Sequence, residues 1–295
     1  MEYVKYNNTD ITSDIKQPNE NLLINSDFKS GIINQKGQTT YTGNTSKLTY
    51  TIDMWYIGKS TQSKLTVNSG YITTIMPSNQ GIGCWISASK FKNADSITIA
   101  VKLRNQNVKI FSNYKFNSDL TLQTNVIMAC KQFNQTEGYN DYNFYIVNSG
   151  TTSVSLDIEF IKIEQGNYFT GMPVYNIEDE IIKCWANQVV LASPIGAFET
   201  PIGNASVYNQ VIYMTIPFTN YFTKTPSVSL IRGECHVILD GYDSTKITNI
   251  QFINFGNHMV LLKGSLEKSM YEYNGKSARV ILNNSGAICF DCNTY

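Results

Sequence analysis

The sequence predicts an all-β protein: two β-sandwich, jelly-roll-like domains joined by one short α-helix. Three observations carry this. Apolar and polar residues alternate with a period of two through many short runs. Clusters of Asn, Gly, Ser and Asp such as "VNSGTTS", "LDGYD" and "LNNSGA" separate those runs. A single segment breaks the alternation with a helical stripe. Many short strands at this spacing indicate sandwiches or jelly rolls rather than a parallel α/β sheet.

Residues 1–19 read as an attachment segment ahead of a first β-sandwich over 20–172. Within it, "SITIAVKLR" sets Ile97, Ile99, Val101 and Leu103 against Ser96, Thr98, Lys102 and Arg104. In "SVSLDIEFIKIE" the apolar set runs Val154, Leu156, Ile158, Phe160 and then slips to Ile161 and Ile163, which predicts a β-bulge near Phe160. "NIEDEIIKCWANQVV" spaces Ile177, Ile181, Trp185 and Val189 four apart, so a helix is expected over about 177–190. Asn176 is a suitable N-cap, and Glu178, Asp179 and Glu180 suit the positive end of the helix dipole. Helix and Pro/Gly-rich linker together span 173–202, and "VIYMTIPF", "SVSLI", "HVIL", "HMVLL" and "ARVIL" supply the strands of a second sandwich over 203–295.

Composition excludes several functions. Only 16% of the 295 residues are charged, and Lys+Arg and Asp+Glu are both 23, so nothing draws the chain to nucleic acid or an anionic membrane. No run approaches the ~18 apolar residues that cross a bilayer. "MEYVKYNNTDITSDIKQPNE" lacks the apolar core of a signal peptide, so export by that route is not expected. The first four of the six cysteines, Cys84, Cys130, Cys184 and Cys235, fit no zinc spacing. Cys289 and Cys292 lie three apart on a strand and so point to opposite faces. With two histidines, His236 and His258, a catalytic triad or metal cage has little to draw on. "NQGIGCW" opens no helix and is no phosphate loop. The carboxylates Asp157/Glu159 and Glu178–Glu180 read as a solvated sheet face and a helix start. No catalysis, cofactor or metal is expected.

Polarity comes instead from uncharged groups and from 19 tyrosines. Trp55 and Trp185 are expected in packing, while Trp85 is open between core and surface. "NQTEGYNDYNFY" interleaves Tyr139, Tyr142 and Tyr145 with Asn140, Asp141 and Asn143, and "SMYEYNGKS" sets Tyr271 and Tyr273 beside Asn274. Rings beside amides and carboxylates suit sugars, which offer apolar C–H faces and hydroxyls. Such loops also occur in β proteins without ligands.

"NLLINSDF", "NQKGQTTYTG" and "YTIDMW" resemble the opening of a β-sandwich domain found in tail fibres of tailed bacteriophages and prophages. The matching residues are Asn21, Leu22, Asn25, Asp27, Phe28, Asn34, Gln35, Gly37, Tyr50, Asp53 and Trp55. "IKIEQGNYFTGMPVYNIEDEIIKCWANQVV" is similar to the end of that domain, with Lys162, Glu164, Gly166, Pro173 and Cys184 in place. "VIYMTIPFTNYFTKTPSVSL" and "SGAICFDCNTY" are similar to fibre-tip phrases, with Cys292 where Ala is usual. The order of the phrases agrees over residues 20 to 295. Lys36 stands for the commoner Arg, Met54 for an Arg beside the Trp, and Trp-Ala-Asn-Gln for an Arg-Tyr-Tyr helix ending; ligand identity varies in such families.

The resemblance implies a receptor-binding tail fibre or tail-tip protein of a phage, prophage or phage-derived particle, located in the virion tail and recognising a bacterial surface glycan. It implies a homotrimer in contact with other tail or baseplate proteins. The alternatives are a carbohydrate-binding module of a secreted protein and a structural fibre spacer. Because the C-terminal domain is usually distal in such fibres, Tyr242, Asp243, Tyr271 and Tyr273 are the favoured glycan contacts, followed by Tyr139, Asp141 and Tyr142.

Overall fold

The computed structural model describes residues 18–91, 96–104, 111–112, 121–123, 126–132, 141–148, 150–193, 199–218, 222, 225–239, 243–256, 259–269 and 274–292. The fold is all-β with one helix. The first unit has strands β1 (Thr40–Thr42), β2 (Thr49–Tyr50), β3 (Trp55–Ile57), β4 (Lys64–Asn68), β5 (Tyr71–Met76) and β6 (Gly81–Ser87). It continues with β7 (Ser96–Leu103), β8 (Phe111–Ser112), β9 (Thr121–Gln123), β10 (Val126–Gln132), β11 (Asp141–Val147) and β12 (Val154–Gln165). These form two antiparallel sheets, ordered β1-β4-β5-β12-β7-β10-β9 and β2-β3-β6-β11-β8.

Their inner faces share one core. Trp55 and Phe28 are both fully buried and meet edge to face at 5.7 Å. Ile97, Ile99, Val101 and Leu103 of β7 point into this core, as their alternation requires. The phase slip in β12 is a register shift between Ile158 and Phe160, and Asp27 bridges to Phe160 there. The bulge turns Phe160 off the core face, and its ring stacks on Phe169 at 6.0 Å outside the sheet.

The opening phrase folds into a polar scaffold for the sandwich. Asn25, fully buried at φ 52°, donates to the carbonyls of Ile33 (2.8 Å) and Asp53 (2.9 Å) and accepts from the Ile33 amide (2.8 Å). Its carbonyl takes the Trp55 indole N–H at 2.8 Å, and its amide donates to Glu180 at 2.8 Å, so one residue ties arm, strand and helix together. Asn21 spans the arm and β12 through the Ile161 carbonyl (3.0 Å) and the Ile163 amide (3.0 Å). At the other end of the domain, Lys162 and Glu164 are fully buried 3.0 Å apart and clamp Thr170 and Gly171 over the sheet. Burial pulls the Lys162 ammonium below its ordinary pKa, and the hydrogen bond to Glu164 holds it up.

Helix α1 (Ile177–Trp185) starts at Asn176, whose side chain accepts from the Glu178 amide at 3.0 Å. It is shorter than its periodicity suggests and packs through Ile181 and Cys184 rather than through the whole stripe. Trp185, expected in packing, is 39% exposed, and Ile177 is 45% exposed. The reason is that the chain leaves the helix at Ala186 and enters a strand at Gln188, which carries Val189 into the second core.

That strand, β13 (Gln188–Ala192), precedes β14 (Glu199–Tyr208), β15 (Val211–Pro217), β16 (Ser227–Leu239), β17 (Asp243–Gly256), β18 (Met259–Leu266) and β19 (Ser277–Asp291). Residues 188–190, expected as the end of the helix, and 191–192 and 199–202, expected as linker, therefore belong to the second sheet. Its order is β13-β19-β14-β15-β18-β17-β16, and β16 pairs back onto β19. The second unit is thus one sheet closed into a six-stranded ring, with β13 and β14 sharing one edge of β19 end to end. Bulges on either side of Arg232 bend β16 for closure. Gly233 sits there at φ 60°, where a Cβ would lie 2.5 Å from the Gly286 Cα. The interior holds Ile212, Met214, Val237, Leu262, Val280 and Leu282, with Phe218, Phe222 and Phe290 clustered at one end.

Cys84, Cys184, Cys235, Cys289 and Cys292 are buried and free of disulfides. Among the described residues no group of His, Cys, Asp and Glu is arranged to hold a metal ion, and no helix is long and apolar enough to cross a membrane.

Candidate functional site

The two units meet at the turn Asn34–Gly37, closed by a 3.0 Å bond from the Gly37 amide to the Asn34 carbonyl. Gln35 is the joint. Its amide nitrogen donates to the Gln188 carbonyl at 2.8 Å and its oxygen accepts from the Val190 amide at 3.2 Å. It therefore pairs with the outer edge of β13 as a neighbouring strand would and covers an edge otherwise open to pairing. Gln35 also holds Asp53, through its backbone amide at 3.0 Å and a short side-chain bond. Asp53 is fully buried, and burial pushes its pKa from 3.8 up to about 6, against the Gln35 hydrogen bonds and the charge of Lys36.

In front of this joint lies a cleft of about 560 Å³ between the units. The first unit contributes Lys36, the loop from Thr42 to Tyr50, and Lys59; the second contributes Ser227, Ser229, Cys289 and Asp291. The loop is shaped by Asn44, whose side chain accepts from the Ser46 amide (2.8 Å) and hydroxyl (2.6 Å). The Gly43 amide donates to the Ser63 carbonyl at 2.8 Å. On the far wall the Ser227 hydroxyl donates to the Asp291 carbonyl at 3.1 Å. Burial raises the Cys289 thiol to about 11, which keeps it protonated near neutral pH and unreactive as a nucleophile. The cleft thus offers hydroxyls, an amide, three ammonium groups, one carboxylate and the Tyr50 ring, at a volume typical of small-molecule sites.

Tyr50 also begins a row of aromatics on the outer face of the five-stranded sheet. Register places Tyr50 beside Tyr56, Tyr56 beside Gly83, and Gly83 beside Tyr145. The Tyr56 and Tyr145 rings stack at 5.9 Å, and Tyr50 meets Tyr56 edge-on at 5.8 Å. Gly83 makes this possible, because a Cβ there would lie 2.6 Å from the Tyr56 hydroxyl and 2.7 Å from the Tyr145 ring. The Tyr56 hydroxyl donates to Asn143, and burial pushes its pKa well above the ordinary phenol value. Trp85, half-buried, stands on the same face opposite Asn143.

Of the residues expected at a glycan site, Tyr142 is half-buried and turned inward, its ring edge-to-face with Phe91 at 5.3 Å. Strand alternation sends Asn143 and Tyr145 outward instead. Asp141 is the first residue of β11, paired with Ser87, and Asp243 the first of β17, paired with Leu239. Tyr139, Tyr242, Tyr271 and Tyr273 lie outside the described residues. The strands flanking the last three do converge: Ile238 pairs with Arg279, and Asn274 donates to Asn209 at 2.8 Å in the β14–β15 turn. This is the barrel end opposite Ser227 and Asp291, away from the first unit.

Of the carboxylates read as a solvated sheet face and a helix start, Asp157, Glu159 and Glu180 are engaged in the fold. Asp157 accepts from Thr73 at 2.7 Å, and Glu159 faces Lys102 at 3.3 Å and Arg104 at 3.8 Å. Glu180 binds the Asn25 amide and Lys183, at 2.8 Å each, beside a smaller hollow of about 280 Å³. His236 contacts Glu234 at 3.0 Å, and Glu234 also holds Lys246 at 2.9 Å.

No family profile matches the chain, and no curated protein matches it. Among solved structures, the Fcho1 Mu homology domain of Danio rerio with bound Eps15 peptide aligns over 88% of this chain and 82% of that one. The identity is 10% and the TM-score 0.13, too low to carry an argument about fold or function.

Proposed function

We propose that the chain is a receptor-binding tail fibre or tail-tip protein of a phage, prophage or phage-derived particle, and that it binds a bacterial surface glycan in the cleft between its two units. The observation that carries the binding role is the cleft itself. Hydroxyls of Thr42, Ser46, Thr49, Ser227 and Ser229 and the Asn44 amide surround a space edged by the Tyr50 ring. Sugars need hydrogen-bonding groups of both kinds around their hydroxyls and a ring for their C–H faces. The phage assignment rests on the ordered phrases from Asn21 to Trp55 and from Lys162 to Cys184. In this fold those residues are scaffold: Asn21, Asn25, Gln35, Asp53 and Trp55 hold the arm, the sheets and the joint together.

The test is binding of the purified chain to a panel of bacterial surface polysaccharides and to whole cells. Tyr50→Ala and Ser229→Ala should weaken binding to a polysaccharide that the parent chain retains, and Ser229→Ala, on an exposed residue, should do so without lowering its melting temperature. Alanine at Tyr271 and Tyr273 tests the contacts favoured from the sequence separately. Failure of the chain to bind any polysaccharide or cell would refute the reading.

A further inference from the structure

The proposed glycan site says nothing yet about the charge of its ligand, and Lys36 bears on that. Its side chain lines the cleft, and the residue is only 8% exposed. Its one hydrogen bond, 3.1 Å, goes to the neutral carbonyl of Tyr50. Among the described residues it forms no ion pair, although an ammonium has three protons to donate. A buried charge without a carboxylate in direct contact is costly, and such groups are normally paired. Lys47 and Lys59 are exposed on the same wall. Asp291 is the sole carboxylate lining the cleft. Asp53, behind the joint, feels the Lys36 charge but is hydrogen-bonded to Gln35 and not to Lys36. Three ammonium groups against one carboxylate leave an excess of positive charge in a chain whose formal net charge is zero.

We infer that the cleft takes an anionic saccharide, with a carboxylate or phosphate of the sugar seated on the Lys36 ammonium and Lys47 and Lys59 attracting it from the rim. The inference rests on the glycan reading and adds the class of sugar. A carboxylate or phosphate would supply the missing counter-charge to Lys36, while the serine and threonine hydroxyls opposite would meet the neutral hydroxyls of the same unit. The charge-assisted bond to Lys36 forms out of bulk water, where it is stronger than at a solvated surface.

Calorimetric titration of the full chain with tri-galacturonate, glucose 1-phosphate and neutral galactotriose tests this. The expected result is binding of at least one anionic probe and at least tenfold weaker binding of the neutral one. Raising sodium chloride from about 50 to 300 mM should weaken the anionic probe and leave the neutral one unchanged. Lys36→Met removes the charge while keeping the volume of the stem, and should weaken the anionic probe about tenfold or more. Lys59→Gln, on an exposed residue, should cost several-fold and serves if Lys36→Met fails to fold. Binding by tri-galacturonate alone identifies a uronic acid, and by glucose 1-phosphate alone a sugar phosphate. Equal binding of anionic and neutral probes, or anionic binding indifferent to both substitutions, overturns the charge inference and leaves the glycan reading standing. Binding of no saccharide here or in the polysaccharide panel overturns both.

Discussion

Asp53 is a buried carboxylate whose ionisation should be readable in stability. Its folded pKa lies near 6 against 3.8 for the free group, so the native state holds the proton more tightly than the unfolded chain does. Well below pH 4 both states are protonated and the burial carries no charge penalty. Above about pH 6 both are ionised, and the native state bears the full cost of a charged group that is 0% exposed. A rise of about two in pKa amounts to ~3 kcal/mol, lost from stability as pH climbs between those limits. Asp53→Asn cannot titrate. It also turns a donor toward the Gln35 side-chain nitrogen, so it carries a fixed cost of its own. The change in unfolding free energy on substitution should therefore be ~2 kcal/mol less unfavourable at pH 8 than at pH 4. All three tryptophans, Trp55, Trp85 and Trp185, precede β13. Tryptophan fluorescence in urea thus follows the unit that contains Asp53. A substitution effect independent of pH, or one that grows toward pH 8, would refute the account of the joint.

Gly83→Ala should destabilise by ~1–3 kcal/mol, because the new methyl would sit 2.5 Å from the Phe144 carbonyl and against two tyrosine rings; loss of near-ultraviolet dichroism should accompany it. Lys162→Met leaves Glu164 buried without its cation and should cost ~3–5 kcal/mol in urea unfolding, with partial recovery on adding Glu164→Leu. Full stability of the single variant would count against the clamp. Light scattering should give three times the chain mass of 33.2 kDa if the chain is a homotrimer, and a monomer at micromolar concentration would refute that. Chelator treatment should leave the melting temperature unchanged; a fall would reveal a structural metal.

Local rules made much of the fold readable. The alternation of β7, the slip at Phe160 and the Asn176 cap each depend on neighbours in sequence, and each appears where the residues place it. Trp185 went astray because a stripe records which residues are apolar but not which side of it meets a neighbour; Ile181 and Cys184 do so here. Closure of β16 onto β19 has no periodic signature, since a strand reads alike whether its sheet is open or joined. The cleft was hidden for a related reason. Lys36 and Tyr50 sit more than 175 residues from Ser229 and more than 240 from Asp291, and lysines and serines in polar stretches look like any solvated loop. The Tyr56–Gly83–Tyr145 row was more accessible, because period two in "YNFYIV" already separates Asn143 and Tyr145 from Tyr142 and Phe144.

The joining of β19 to β13, β14 and β16 has a consequence for synthesis. The strand that completes the ring is the last of the nineteen to leave the ribosome. Once Gln165 has emerged, about 125 further residues must follow before Asp291 does, which takes roughly 6–25 s at about 5–20 residues per second. Throughout that interval Val207, Ile212 and Met214 belong to a ribbon with no interior to enter, while the first sandwich has all its strands. The nascent chain is then a folded head trailing an adhesive half-barrel. A stop codon at the start of β19 would leave it permanently in that state.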